Sequence, residues 1–209
     1  MIGAMIVNCA GIIVCGGLSK RMGRPKARLP FGDETMLSRV ARLLSMVVEP
    51  VVVVAAADQE LPELPKEIII ARDRRESRGP LEGLAVGLRV LGDEAEAAFF
   101  CGCDVPLLKP ALVARMVELS VGHDIAVPRI DGHDEPLAAV YSKSVLTRVE
   151  TLLAEGRLRP AFLFDEFDAR RVTAEELADV DPRLESFSNV NSPADYQAAL
   201  AAAGFSAKP

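Results

Sequence analysis

The 209-residue chain has only two histidines, no CxxC pair, no excess of positive charge and no apolar run of membrane-spanning length. Each shortage closes a class of function. His123 and His133 occupy unlike contexts, offer no imidazole pair, and read as surface-loop residues. Cys101 and Cys103 form a CxC, but without a second CxxC or a His pair that is poor zinc spacing. With Cys9 and Cys15 they lie in apolar, strand-like surroundings, where cysteine serves as a small hydrophobe in a reducing compartment. A formal net charge of -6 disfavours nonspecific binding to nucleic acid or membrane surfaces, because both are polyanions. Residues 2 to 17 are apolar, yet no Lys or Arg precedes them and they run into a double glycine. They therefore read as a strand with a short leader instead of a signal peptide. No repeat or linker breaks the chain, so the expectation is one cytoplasmic domain over residues 1–209, with its core at about 10–203.

What the chain does have is a local reversal of its own charge. Between Gly16 and Gly32 stand Lys20, Arg21, Arg24, Lys26 and Arg28 without one carboxylate. That loop follows Ile12-Ile13-Val14, a short buried-strand signal, and Gly16-Gly17 lets the backbone turn and approach a ligand where a Cβ would clash. The spacing is neither a Walker P-loop nor GxGxxG. Physically, Gly16, Gly17 and Gly23 free N–H groups for phosphate oxygens, while Arg21 and Lys26 neutralise a polyphosphate. Pro25 restricts Arg24 to extended geometry and helps aim Lys26.

The remaining pattern predicts an α/β protein. Met36, Leu37, Val40, Leu43, Leu44, Val47 and Val48 recur at helical spacing, with Asp33 or Thr35 as cap. Runs at 51–57, 67–71 and 97–101 are apolar on both faces, as fully buried strands are. Helices follow Gly79-Pro80 and Pro110, and the alternation implies right-handed crossovers and a mainly parallel sheet. Strands at 125–128 and 137–141, joined by a short polar turn, suit antiparallel pairing. A helix is expected over 145–153, residues 159–167 have no clear assignment, and Ser192-Pro193-Ala194-Asp195 caps a last helix through Ala203.

Three further stretches can carry chemistry. Asp104 in Cys101-Gly102-Cys103-Asp104-Val105-Pro106 ends a buried strand; it suits Mg²⁺ among nucleotide phosphates, or equally a turn cap before Pro106. Asp73 ends another strand, and Gly79-Pro80 opens a helix whose free N–H groups favour anions, although an ordinary salt-bridged loop reads the same way. Ser188-Asn189-Val190-Asn191 brings two amides to a strand end, suited to a polar heterocycle or to an Asx turn supporting the cap.

The segment Val14-Cys15-Gly16-Gly17-Leu18-Ser19-Lys20-Arg21-Met22-Gly23-Arg24-Pro25-Lys26 resembles the LAGGxSxRMGxxK signature of molybdenum cofactor guanylyltransferases. Asp73 with Gly79-Pro80-Leu81-Glu82-Gly83, Cys103-Asp104-Val105-Pro106 and Asn189-Val190-Asn191-Ser192-Pro193 are similar to that family's later motifs, in order. The resemblance implies a Rossmann-like nucleotidyltransferase fold, a three-layer α/β/α with a mainly parallel central sheet and one antiparallel strand. It implies transfer of GMP from GTP to molybdopterin with release of pyrophosphate and help from Mg²⁺, with molybdoenzymes or other cofactor-synthesis proteins as further candidate partners. On this resemblance Val14, Cys15, Gly16, Gly17, Asp73 and Gly79 line the nucleotide, Lys26 and Arg21 hold phosphates, and Asp104 binds the metal. Asn189 and Asn191, and more loosely Arg159, fall to the acceptor. Val14-Cys15 replaces the family's Leu-Ala, and Ala55 stands where the family often has Asn, removing a side-chain donor near the nucleotide. The alternatives are a CTP-dependent molybdopterin cytidylyltransferase, which typically carries AAG in place of the double glycine, or a guanylyltransferase for another phosphorylated acceptor.

Overall fold

The computed structural model describes residues 8–15, 25–73 and 79–205. In chain order the first half runs β1 (Cys9–Val14), β2 (Pro30–Phe31), β3 (Glu34–Thr35), α1 (Met36–Ser45), β4 (Val51–Ala56), β5 (Ile69–Asp73) and α2 (Gly79–Leu91). There follow β6 (Ala97–Gly102), α3 (Pro110–Leu119), β7 (Ile125–Ile130), β8 (His133–Asp134) and β9 (Ala138–Ser142). The chain closes with α4 (Leu146–Ala154), β10 (Ala169–Thr173), α5 (Ala174–Leu177) and α6 (Pro193–Ala202). Thr35, not Asp33, caps α1, accepting from the Ser38 N–H, and Ser192 and Asp195 form the expected reciprocal capping box on α6.

The central sheet has the order β10-β7-β9-β6-β1-β4-β5, with β8 hairpinned on β7. Pairing is parallel except around β9, which runs antiparallel to both β6 and β7, and at the two-residue β8. The expected mainly parallel sheet with one antiparallel strand is therefore present, with β8 and a separate β2–β3 ribbon added to it. Alternate residues face opposite layers: Ile13, Val53 and Phe99 pack with Leu37, Val40, Leu44, Leu112 and Met116, whereas Ile12, Val52, Val54 and Phe100 pack with Leu81, Leu84, Val149 and Leu152. Helices thus cover both faces of the sheet. Among the described residues no helix is long and apolar enough to cross a membrane.

Two local expectations need correction, and two stretches carried no assignment. The 67–71 run is not buried on both faces: β5 is the sheet edge, and Ile70 is 48% exposed. Residues 159–167 hold a 3-10 turn at Pro160–Leu163. The strand β10 and the one-turn α5 had no sequence signal, because Ala-Arg-Arg-Val-Thr buries only Val172. Asn189 and Asn191 do not end a strand; they lie in an irregular stretch after a 3-10 turn at Glu185–Phe187.

Candidate active site

Parallel strands deliver their C-terminal ends to one edge, where open α/β sheets hold ligands. Val14, Asp73 and the Gly102 end of β6 all lie at that edge, and α2 starts there at Gly79. Two bonds hold the edge in register: the Cys15 N–H donates to Val54 O at 2.9 Å, and the Cys103 N–H to Val14 O at 3.0 Å. Missing side chains also shape it. A Cβ on Gly102 would stand 2.4 Å from Asp104 Oδ1, and one on Gly83 would stand 2.3 Å from Val14 Cγ1. Both glycines are present because a carboxylate and a strand residue occupy their space.

The centre of the site is an ammonium shared between two loops. Lys26, in a 3-10 turn directly after Pro25, donates from Nζ to Asp104 Oδ2 at 2.9 Å and to Asn191 Oδ1 at 2.8 Å. The Lys26 and Asp104 side chains are 17% and 23% exposed, so their attraction is only partly screened. Three bonds aim Asn191. Its own N–H and that of Ser192 both donate to Asp195 Oδ2, at 3.0 and 2.8 Å, and the Val190 N–H donates to Asp104 O at 2.8 Å. The N–H of Asn191 and the Ser192 contacts, with the charge of Lys26, hold the Asp195 carboxyl below the usual range.

The other expected residues divide. Asp73 closes β5 at the same sheet edge. Gly79 has φ +69°, and Leu158 O lies 3.6 Å from where its Cβ would be, which brings the exposed Arg159 beside the start of α2. Asn189 is exposed next to Val190. Arg21, Gly16 and Gly17, with the rest of 16–24, lie outside the described residues. Ala55 is buried in β4 and offers no side chain to a ligand. The thiols are free and buried, packing as expected; the Cys103 side chain and burial push Cys15 well up, and burial first, then the neighbouring Cys103 and Asp104, drives Cys101 up.

Two supporting residues had no signal in the sequence. Arg39 donates from Nε to Pro106 O at 2.7 Å while its guanidinium stands 5.0 Å from the centre of the Phe31 ring and 5.7 Å from that of Phe205, steadying the loop after Asp104. Gln59 donates from Nε2 to Cys15 O at 3.2 Å, immediately before the double glycine. A single Arg on a helix and a Gln in a polar loop look like solvated surface until the fold assembles their partners.

Among the described residues no group of three or more His, Cys, Asp or Glu side chains is placed to hold a metal. A lone carboxylate fits Mg²⁺, which takes one or two protein oxygens and completes its shell with phosphates and water.

The family described as MobA-like NTP transferase domain matches residues 11–170. A protein of Mycobacterium avium named probable molybdenum cofactor guanylyltransferase is 36% identical over 197 residues, covering 92% of this chain and 95% of that protein. One of the same name from Methanosarcina mazei is 34% identical over 201 residues, covering 90% and 88%. The crystal structure of molybdopterin-guanine dinucleotide biosynthesis protein A from Archaeoglobus fulgidus superposes with a TM-score of 0.77 at 21% identity, covering 94% of this chain and 98% of that one; at that identity the likeness concerns the fold.

Proposed function

The chain belongs to the MobA-like NTP transferase family of nucleotidyltransferases, and on that premise we propose that it transfers GMP from GTP to molybdopterin, releasing pyrophosphate. The observation that carries the reading is Lys26, whose ammonium joins Asp104 on the strand edge to Asn191 on the opposite loop. An ammonium has three donors. With two engaged by Asp104 and Asn191, the third has no further partner among the described residues and is available to a phosphate oxygen.

In the proposed reaction a terminal phosphate oxygen of molybdopterin attacks the α-phosphorus of GTP in line. A new phosphorus–oxygen bond forms as the bond to the β-phosphate bridging oxygen breaks, and pyrophosphate departs with that electron pair. Both reactants are anions, so catalysis consists largely of positioning and charge neutralisation. Lys26 offsets charge between donor and acceptor phosphates, and Arg21 adds to that neutralisation. Val14, Cys15, Gly16, Gly17, Asp73 and Gly79 line the nucleotide. Asn191, Asn189 and Arg159 face the acceptor. Asp104 would hold Mg²⁺, which supplies further neutralisation of phosphate charge when bound. We place the reaction in the cytoplasm, where a reducing medium keeps the thiols free, and take molybdoenzymes or other cofactor-synthesis proteins as recipients of the product.

The test is transfer of radiolabelled nucleotide to molybdopterin with GTP and CTP in competition. GMP incorporation is expected, and preferential CMP incorporation overturns the base assignment.

A further inference from the structure

The irregular stretch that delivers Asn191 is tied down at its start by a polar knot. Asp181 is 0% exposed, and among the described residues only Glu82 is another buried carboxylate. Its carboxylate accepts from Lys109 Nζ at 2.7 Å, from the Glu185 N–H at 3.1 Å and from the Ser186 N–H at 2.9 Å. Lys109 Nζ also pairs with Glu185 at 2.9 Å, and the Lys109 N–H donates to Ser186 Oγ at 3.0 Å. Burial pushes the Asp181 carboxyl up, but the Lys109 ammonium and the two N–H groups outweigh it, so the group stays ionised below its ordinary value.

Stability alone is a poor reason for such a knot. Burying an ion pair costs several kcal/mol that its own attraction only roughly returns, and apolar residues of the same volume often serve the fold as well. What the knot supplies is location. Lys109 caps the start of α3 at the end of the connection that begins with Asp104, and Ser186 begins the run that ends at Asn191. The two runs are joined at one end by Val190 N–H to Asp104 O, at 2.8 Å, and at the other by Lys109 N–H to Ser186 Oγ. Between those rungs the path of residues 186–190 is defined at both ends, and Asn191 reaches Lys26 as the next residue.

We infer that Asp181, with Lys109 and Ser186, is a positioning residue for the acceptor side of the site, acting through Asn191. The inference rests on the assignment of Asn191 to the acceptor made above. Asp181→Asn keeps the volume and one acceptor oxygen while removing the charge that holds Lys109. With a displacement of about 1 Å costing up to ~100-fold, a rise of roughly tenfold in the KM for molybdopterin is expected, with the Kd of Mg·GTP changed less than about twofold. Ser186→Ala, which removes one rung and no charge, is the milder variant should Asp181→Asn fold poorly, and it should shift the same constant in the same direction.

A double-mutant cycle with Asn191→Ala completes the test. If Asp181 acts through Asn191, Asp181→Asn adds less than about twofold to the acceptor KM in the Asn191→Ala background. Full multiplicative effects overturn the inference while leaving the acceptor assignment intact. A fall in kcat with unchanged acceptor KM, the signature of a smaller folded fraction, also overturns it. Should Asn191→Ala by itself leave the acceptor KM unaltered, the assignment of Asn191 fails, and the positioning role falls with it.

Discussion

Gly102→Ala is the smallest change that reaches the proposed chemistry. Gly102 has an ordinary strand conformation, so in isolation the substitution would stabilise by about 0.4–1 kcal/mol through the unfolded chain. Its new methyl, however, would lie 2.4 Å from Asp104 Oδ1. Relief to ordinary contact needs a carboxylate movement of about 1 Å, enough to break the 2.9 Å bond from Lys26, whose part-exposed pair contributes about 1 kcal/mol, while the overpacking itself costs roughly 1–3 kcal/mol. The clash therefore outweighs the entropic gain, and a net loss of about 1–2 kcal/mol in stability is expected. Activity should suffer more, because Asp104 and Lys26 both lose their relative placement; a fall of about 100-fold in turnover follows from a 1 Å misplacement. Pyrophosphate release at saturating GTP, Mg²⁺ and molybdopterin measures the second quantity, and urea unfolding the first. A Gly102→Ala enzyme with wild-type turnover would show that the Asp104 carboxylate does not need its observed position, and the reasoning would be refuted.

Other outcomes follow from the same contacts. Lys26→Ala should lower turnover by about 100-fold or more while costing only about 1 kcal/mol of stability, since a part-exposed pair contributes little to folding; an equivalent collapse in urea resistance would make Lys26 a structural residue. Asp181 has a folded pKa below its unfolded value, so its contribution is present above the unfolded pKa and disappears as pH falls through the folded one. Urea midpoints followed from about pH 6 to about pH 3 should fall for the native chain, and Asp181→Asn should flatten part of that acid limb; coincident slopes would contradict the assignment. Burial pushes the Cys9 thiol up to about 12, and Cys15 and Cys101 are also raised, so these three should resist a thiol reagent near pH 8 until the chain unfolds. Rapid labelling of the folded protein would show those thiols to be accessible.

Strands β1, β4 and β6 could be read from composition because both of their faces are buried, which forces continuous apolar runs. The helices α1 and α6 were equally legible, one from its apolar stripe and the other from a cap whose partners are three residues apart. β5 looked like a central strand because Ile68, Ile69 and Ile70 carry no mark of being at an edge, and β10 escaped notice because its two arginines outweigh one buried valine.

Within the candidate site, Lys26, Asp104 and the two asparagines were visible as residue types in suggestive settings. Their meeting was not, since Lys26 and Asn191 are separated by 165 positions and nothing local favours their contact. The same holds for Arg39 against two rings and for the Asp181 knot, which look like ordinary surface charges in the chain. Local propensity and burial pattern therefore determined the buried strands, most of the helices and the cationic loop. Only the tertiary structure decided which polar groups share an ammonium, because long-range hydrogen bonds form after packing has placed their partners and leave no periodic trace along the sequence.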